Sequence, residues 1–144
     1  MEEMPLHVVL VSAIIKKEDK YLLGLRASND DQAGGTWSFI GGKVDFETGH
    51  GIIESTLARE AEEEAGVKIK DSIQLLTTSG FIRSSGHHVV SLTFLAEYLS
   101  GKAQPLDGQD EVKWFTLNEI KGLIHNDSRI TYLLPTVELL ETRQ

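Results

Sequence analysis

Four carboxylates fall within five positions of the stretch "AREAEEEAGV", residues 58–67: Glu60, Glu62, Glu63 and Glu64, with Arg59 before them and Gly66 after. If the stretch is helical, each residue advances about 100°. With Glu60 at zero, Glu64 then lies near about +40° and Glu63 near about −60°, while Glu62 falls on the far side. Three carboxylates therefore share one face. Like charges one turn apart repel, and anions near a helix C-terminus oppose the macrodipole. Local helix stability does not favour this arrangement. A hard divalent cation would offset it, because Mg²⁺ takes oxygen ligands and commonly bridges to substrate phosphates. The competing reading is a solvated acidic face, the usual meaning of a glutamate run. Arg59 can reach Glu63 at i+4, and the glycine pair Gly41-Gly42 leads into the segment, which favours a built site.

The flanking elements must hold that face in place. Ile53, Leu57, Ala61 and Ala65 recur every four residues, which predicts an amphipathic helix over 52–65 closed by Gly66. "LHVVLVSAIIK" (6–16), "YLLGLR" (21–26) and "TWSFIGG" (36–42) read as strands, the last entering the glycine turn. "IQLLTTSGFIR" (73–83) and "HVVSLTFLAEYL" (88–99) read as a long pair, and "GKAQPLDGQDE" (101–111) as a loop before the short strand "VKWF". Thr116 and Glu119 have the spacing of a capping box. "SRITYLLPTVELLET" reads as a last helix that Pro135 ends early or kinks. No repeat or linker is visible, so one domain over 1–144 is expected.

Composition narrows the chemistry. The chain has 144 residues, 40% of them hydrophobic, and a formal net charge of −8. An acidic balance argues against a nucleic-acid polymer or an anionic membrane as partner, since both select positive surface. It leaves room for a nucleotide substrate, because a bound cation inverts the local field. There is no cysteine, hence no disulfide framework and no thiolate metal site. The apolar run Val8–Ile15 is too short to span a bilayer, and the acidic start is a poor export signal. A soluble, cytoplasmic protein is the expectation.

The segment "GGKVDFETGHGIIESTLAREAEEEAGV" (41–67) resembles the Nudix box. "REAEEEAGV" (59–67) matches its second half position by position, with Ala61 as a small version of the aliphatic residue. The first half departs. Gly42 and Arg59 are seventeen residues apart, three more than the family's pattern, and Gly51 stands where a glutamate is expected, with Asp45, Glu47 and Glu54 as substitutes. Ile40 also replaces the proline often found before the double glycine. The strands before the box and "EVKWFTLNEI" after it have the family's form.

The resemblance implies an α/β/α sandwich around a mixed β-sheet, and Mg²⁺- or Mn²⁺-dependent hydrolysis of a nucleoside diphosphate linked to a group X. It implies Glu60, Glu63 and Glu64 as metal ligands and Arg59 as a residue that orients a glutamate. For a general base, the helix glutamates and the loop carboxylates Asp107 and Glu111 are candidates. Gly41 and Gly42 would shape the loop beside the metals. Arg26 could contact phosphate. Trp37, Phe39 and Phe81 could stack a base, but core packing is the expectation for each. Family members are often homodimers. The substrate readings are a nucleoside triphosphate, oxidised or not, cleaved to monophosphate and pyrophosphate, and ADP-ribose or another nucleotide sugar. A non-catalytic nucleotide sensor and a structural protein with a solvated acidic helix are the readings from other classes.

Overall fold

The computed structural model describes residues 6–30, 33–45 and 48–143. Seven strands form one mixed sheet: β1 (His7–Lys17), β2 (Lys20–Arg26), β3 (Trp37–Lys43), β4 (Lys68–Ile69), β5 (Gln74–Ile82), β6 (His88–Ser100) and β7 (Gln109–Phe115). The order across the sheet is β4-β6-β1-β3-β2-β7, with β5 also paired to β6 on the edge that β4 shares. Among the described residues only β1 and β6 run parallel, from His7 opposite His88 to Lys16 opposite Glu97; the other pairs are antiparallel.

Strand alternation sends side chains to two separate cores. Val11, Ala13 and Ile15 of β1, Leu22 of β2 and Ile40 of β3 meet Leu57, Ala61 and Ala65 of helix α1 (Ile52–Ala65). Ile14, Tyr21, Leu23 and Phe39 point the other way, onto α2 (Leu117–Asn126), a 3-10 segment (Ser128–Leu133) and α3 (Leu134–Thr142). The architecture is therefore helix, mixed sheet, helix, as the resemblance implied.

Helix α1 has the expected bounds. Gly51 enters it and Gly66 closes it, both in left-handed backbone at φ 70° and 71° that favours glycine, and the cap N–H groups reach the carbonyls of Ala61 and Glu62. The capping box at Thr116 is present in full, with Glu119 N–H donating to Thr116 Oγ1 at 3.2 Å and Thr116 N–H to Glu119 Oε1 at 2.8 Å.

Three expectations are corrected. Pro135 does not end or kink the last helix; it lies in the first turn of α3, where its missing N–H has no intrahelical carbonyl to lose. The segment before it is a 3-10 turn. Strand β7 begins at Gln109, so Gln109–Glu111 belong to the sheet and not to the loop. Phe81 is exposed on edge strand β5 instead of buried in a core.

Candidate active site

The end of β3 and the last turns of α1 face each other, and Gly42 sets how close they come. A Cβ on Gly42 would lie 2.5 Å from the Glu60 carboxyl carbon. Glu60 thus rests its carboxylate directly on the strand backbone. Next to it, Gly41 N–H donates to Glu64 Oε2 at 3.3 Å. A Cβ on Gly41 would meet the Val11 carbonyl oxygen of β1 at 2.2 Å, so this position is closed to any side chain. Gly42 is required for strand and helix to approach and Gly41 for β3 to lie against β1, and one carboxylate is seated at each residue.

The three carboxylates of the predicted face do not behave alike. Glu60 and Glu64 turn inward, Glu60 with 17% of its side chain exposed. Glu63 stays in solvent at 49%. Arg59 spans this division, with Nη2 3.5 Å from Glu60 Oε1 and Nε 3.9 Å from Glu63 Oε1. Glu62 faces away, 3.9 Å from Lys68 Nζ.

Burial first, and the charge of Glu60 second, push the Glu64 carboxyl up to about 7. The Gly41 N–H, the Arg26 guanidinium and a hydrogen bond from Gln109 partly counter this. Arg26 therefore stands at the Glu64 end of the site. Its Nη1 lies 3.7 Å from Asp30 Oδ2, and its side chain is 38% exposed.

Gln109 is the site residue that the sequence reading missed. Its Nε2 donates to Glu64 Oε1 at 3.4 Å. With 109–111 read as loop, no alternation pattern could place it. Its face follows from β7 pairing with β2, where the register shifts between Leu25 and Arg26 and sets Gln109 opposite Arg26.

Two other candidates are not brought to the carboxylates. Val112 and Trp114 pack on the α1 side, so alternation turns Glu111 to the opposite face, where it ion-pairs with Lys113 at 3.1 Å. Trp37 packs edge-on against Phe115 at 5.1 Å, in the core under α2 and α3. In the first half of the motif, Gly51 holds the left-handed entry to α1, Glu54 lies in the first turn and Asp45 is 3.7 Å from Lys43 Nζ. Glu47 lies outside the described residues.

Among the described residues, no group of three carboxylate or imidazole side chains forms a ready-made metal cage. The donor chemistry nevertheless suits a hard divalent cation. All three side chains offer oxygen, and Glu60 and Glu64 stand close enough for the charge of one to raise the proton affinity of the other. No helix among the described residues is long and apolar enough to cross a membrane.

Comparison with known proteins places the chain in a family. A family model described as NUDIX domain matches residues 6–134. An ADP-ribose pyrophosphatase of Methanocaldococcus jannaschii is 31% identical over 122 residues, which is 85% of this chain and 69% of that protein. The crystal structure of a MutT NUDIX hydrolase from Burkholderia pseudomallei is 30% identical, with a TM-score of 0.67, covering 81% of this chain and 86% of that one. The NUDIX domain of Shewanella oneidensis NrtR, solved as a complex with ADP ribose, superposes with a TM-score of 0.72 over 97% of this chain and 90% of its own; at 21% identity it shows the fold alone.

Proposed function

This chain belongs to the Nudix family and is one of its pyrophosphohydrolases, and from that premise we propose that it hydrolyses a nucleoside diphosphate linked to a group X. In this reading Glu60, Glu63 and Glu64 hold the divalent metal that the family generally uses. The observation that carries it is the seating of Glu60 and Glu64 against Gly42 and Gly41, two like charges pressed together on a strand end. Such a pair is unfavourable unless a proton or a cation joins it, and a divalent cation relieves both carboxylates at once.

A bound Mg²⁺ or Mn²⁺ ion would neutralise the diphosphate and lower the pKa of the attacking water. The chain's own residues do the rest. Gly42 fixes the approach of helix to strand, and Gly41 lets β3 lie against β1 while its N–H holds Glu64. Arg59 holds Glu60 and Glu63 in a common frame through its planar, multiply donating guanidinium. Arg26, half-exposed and close to Glu64, supplies a cation for a phosphate oxygen. With Glu111 on the far face, the helix glutamates and Asp107 remain as general-base candidates.

Two substrates are favoured. A nucleoside triphosphate, oxidised or not, would yield monophosphate and pyrophosphate. ADP-ribose is the second, favoured by the name of the M. jannaschii relative. The test is product release from nucleoside triphosphates, ADP-ribose, dinucleotides and nucleotide sugars with Mg²⁺, with Mn²⁺ and with chelator. Cleavage of one class that stops with chelator is expected, and its products name X. Nucleotide binding without turnover across the whole panel would overturn hydrolysis in favour of a sensor.

A further inference from the structure

We propose that Gln109 and Gly24 are a positioning pair for Glu64: the glycine makes the space in which the Gln109 amide lies, and the amide holds one oxygen of the Glu64 carboxylate. The inference rests on the reading of Glu64 as a metal ligand. It assigns two residues outside the Nudix box, on β7 and β2, to that ligand on α1.

Glu64 is gripped at both oxygens. Gly41 N–H donates to Oε2 at 3.3 Å and Gln109 Nε2 to Oε1 at 3.4 Å, so both the plane and the tilt of the carboxylate are defined. The other end of the amide explains the glycine. A Cβ on Gly24 would lie 2.3 Å from Gln109 Oε1 and 2.8 Å from its Cδ. Gly24 is in the interior of β2, paired with Ser38 on one side and Val112 on the other, where a glycine weakens a strand. Its backbone is not left-handed, so conformation does not demand a glycine there. Space does. The third neighbour of such a Cβ is Ile40 Cδ1 at 3.2 Å, the far end of a flexible side chain that can give way.

The amide oxygen is buried and accepts no hydrogen bond from any described residue. Buried polar atoms are normally satisfied. Here the donor end goes to Glu64 and the acceptor end goes without, so the orientation follows the carboxylate's need for a donor. The register shift at Leu25 and Arg26 aims Gln109 at that spot. Residues that orient a metal ligand commonly matter to metal affinity by about 10- to 100-fold.

The test is Mn²⁺ affinity of the full chain without substrate, read from the free-ion electron paramagnetic resonance signal, for wild type, Gln109→Ala, Gln109→Met, Gly24→Ala and the Gly24→Ala/Gln109→Ala double variant. Gln109→Met fills the space but lacks the donor, so it keeps the test valid should Gly24→Ala fail to fold. Each single variant is expected to bind Mn²⁺ about tenfold more weakly. The double variant is expected to be no weaker than Gln109→Ala, because the added methyl then meets only Ile40 Cδ1, which can give way. Wild-type affinity in Gln109→Met and Gln109→Ala, with or without lower thermal stability, overturns the pair while leaving the metal reading intact. Losses that add in the double variant overturn the claim that Gly24 acts through Gln109. Wild type binding Mn²⁺ no better than Glu63→Gln overturns the metal reading, and this proposal with it.

Discussion

The two faces of the sheet make opposite uses of their helices. Under α2 and α3 every conspicuous feature serves packing or termination. Trp37 meets Phe115, Thr116 and Glu119 cap each other, and Pro135 begins a helix. Under α1 large apolar residues such as Leu22, Ile40 and Leu57 fill the core, while at the end of β3 Gly42 brings the strand close to the helix and Glu60 and Glu64 are seated there. One face relieves its polar groups. The other crowds like charges and leaves Gln109 Oε1 unsatisfied. Strain of this kind persists where a ligand or reaction uses it.

That contrast can be broken at the helix. Glu63→Gln keeps the shape and removes a charge, and is expected to cut turnover by about 10²-fold or more. Glu62→Gln, on the far side beside Lys68, is expected to stay near wild type. Equal effects in a steady-state assay of the two variants would remove the distinction between the faces of α1.

The next effect is on stability against pH in metal-free protein. A carboxyl raised from 4.5 to about 7 on folding makes the native state bind the extra proton. Its contribution is full below about pH 4.5 and is lost as pH rises through about 7. Discounted for partial exposure, the loss is about 2 kcal/mol. Chelator-treated wild type should show it in urea titrations between those pH values, and Glu64→Gln should not. An unchanged slope in Glu64→Gln would mean that another group carries the proton.

The smallest effect belongs to the packing face. Thr116→Ala removes one half of the capping box and is expected to lower unfolding free energy by about 1 kcal/mol with kcat and KM unchanged. Lost activity at unchanged stability would show that the α2 face takes part in the chemistry.

Much of the site was legible because it is local. Glu60, Glu63 and Glu64 share a face by helix periodicity alone, and the stripe from Ile53 to Ala65 says which side must be buried. The capping box at Thr116 is equally local, three residues apart. Glu111 and Trp37 looked as eligible as Arg26, because a residue type does not say which face of a sheet it occupies. That depends on strand register, and a one-residue difference sends a side chain to the other side.

From the sequence alone follow the acidic helix, its apolar stripe, its glycine cap, most of the strands and the likeness to the Nudix box, all of them carried by spacings within a turn or a strand. Only the tertiary structure decided that Glu60 and Glu64 turn inward while Glu63 does not, that Glu111 faces away, that Gln109 meets Glu64 across 45 residues, and that the Gln109 amide lies against Gly24. The physical reason is that contacts between α1, β2 and β7 depend on strand pairing and on the backbone space left by a missing Cβ, and neither is encoded in any local period.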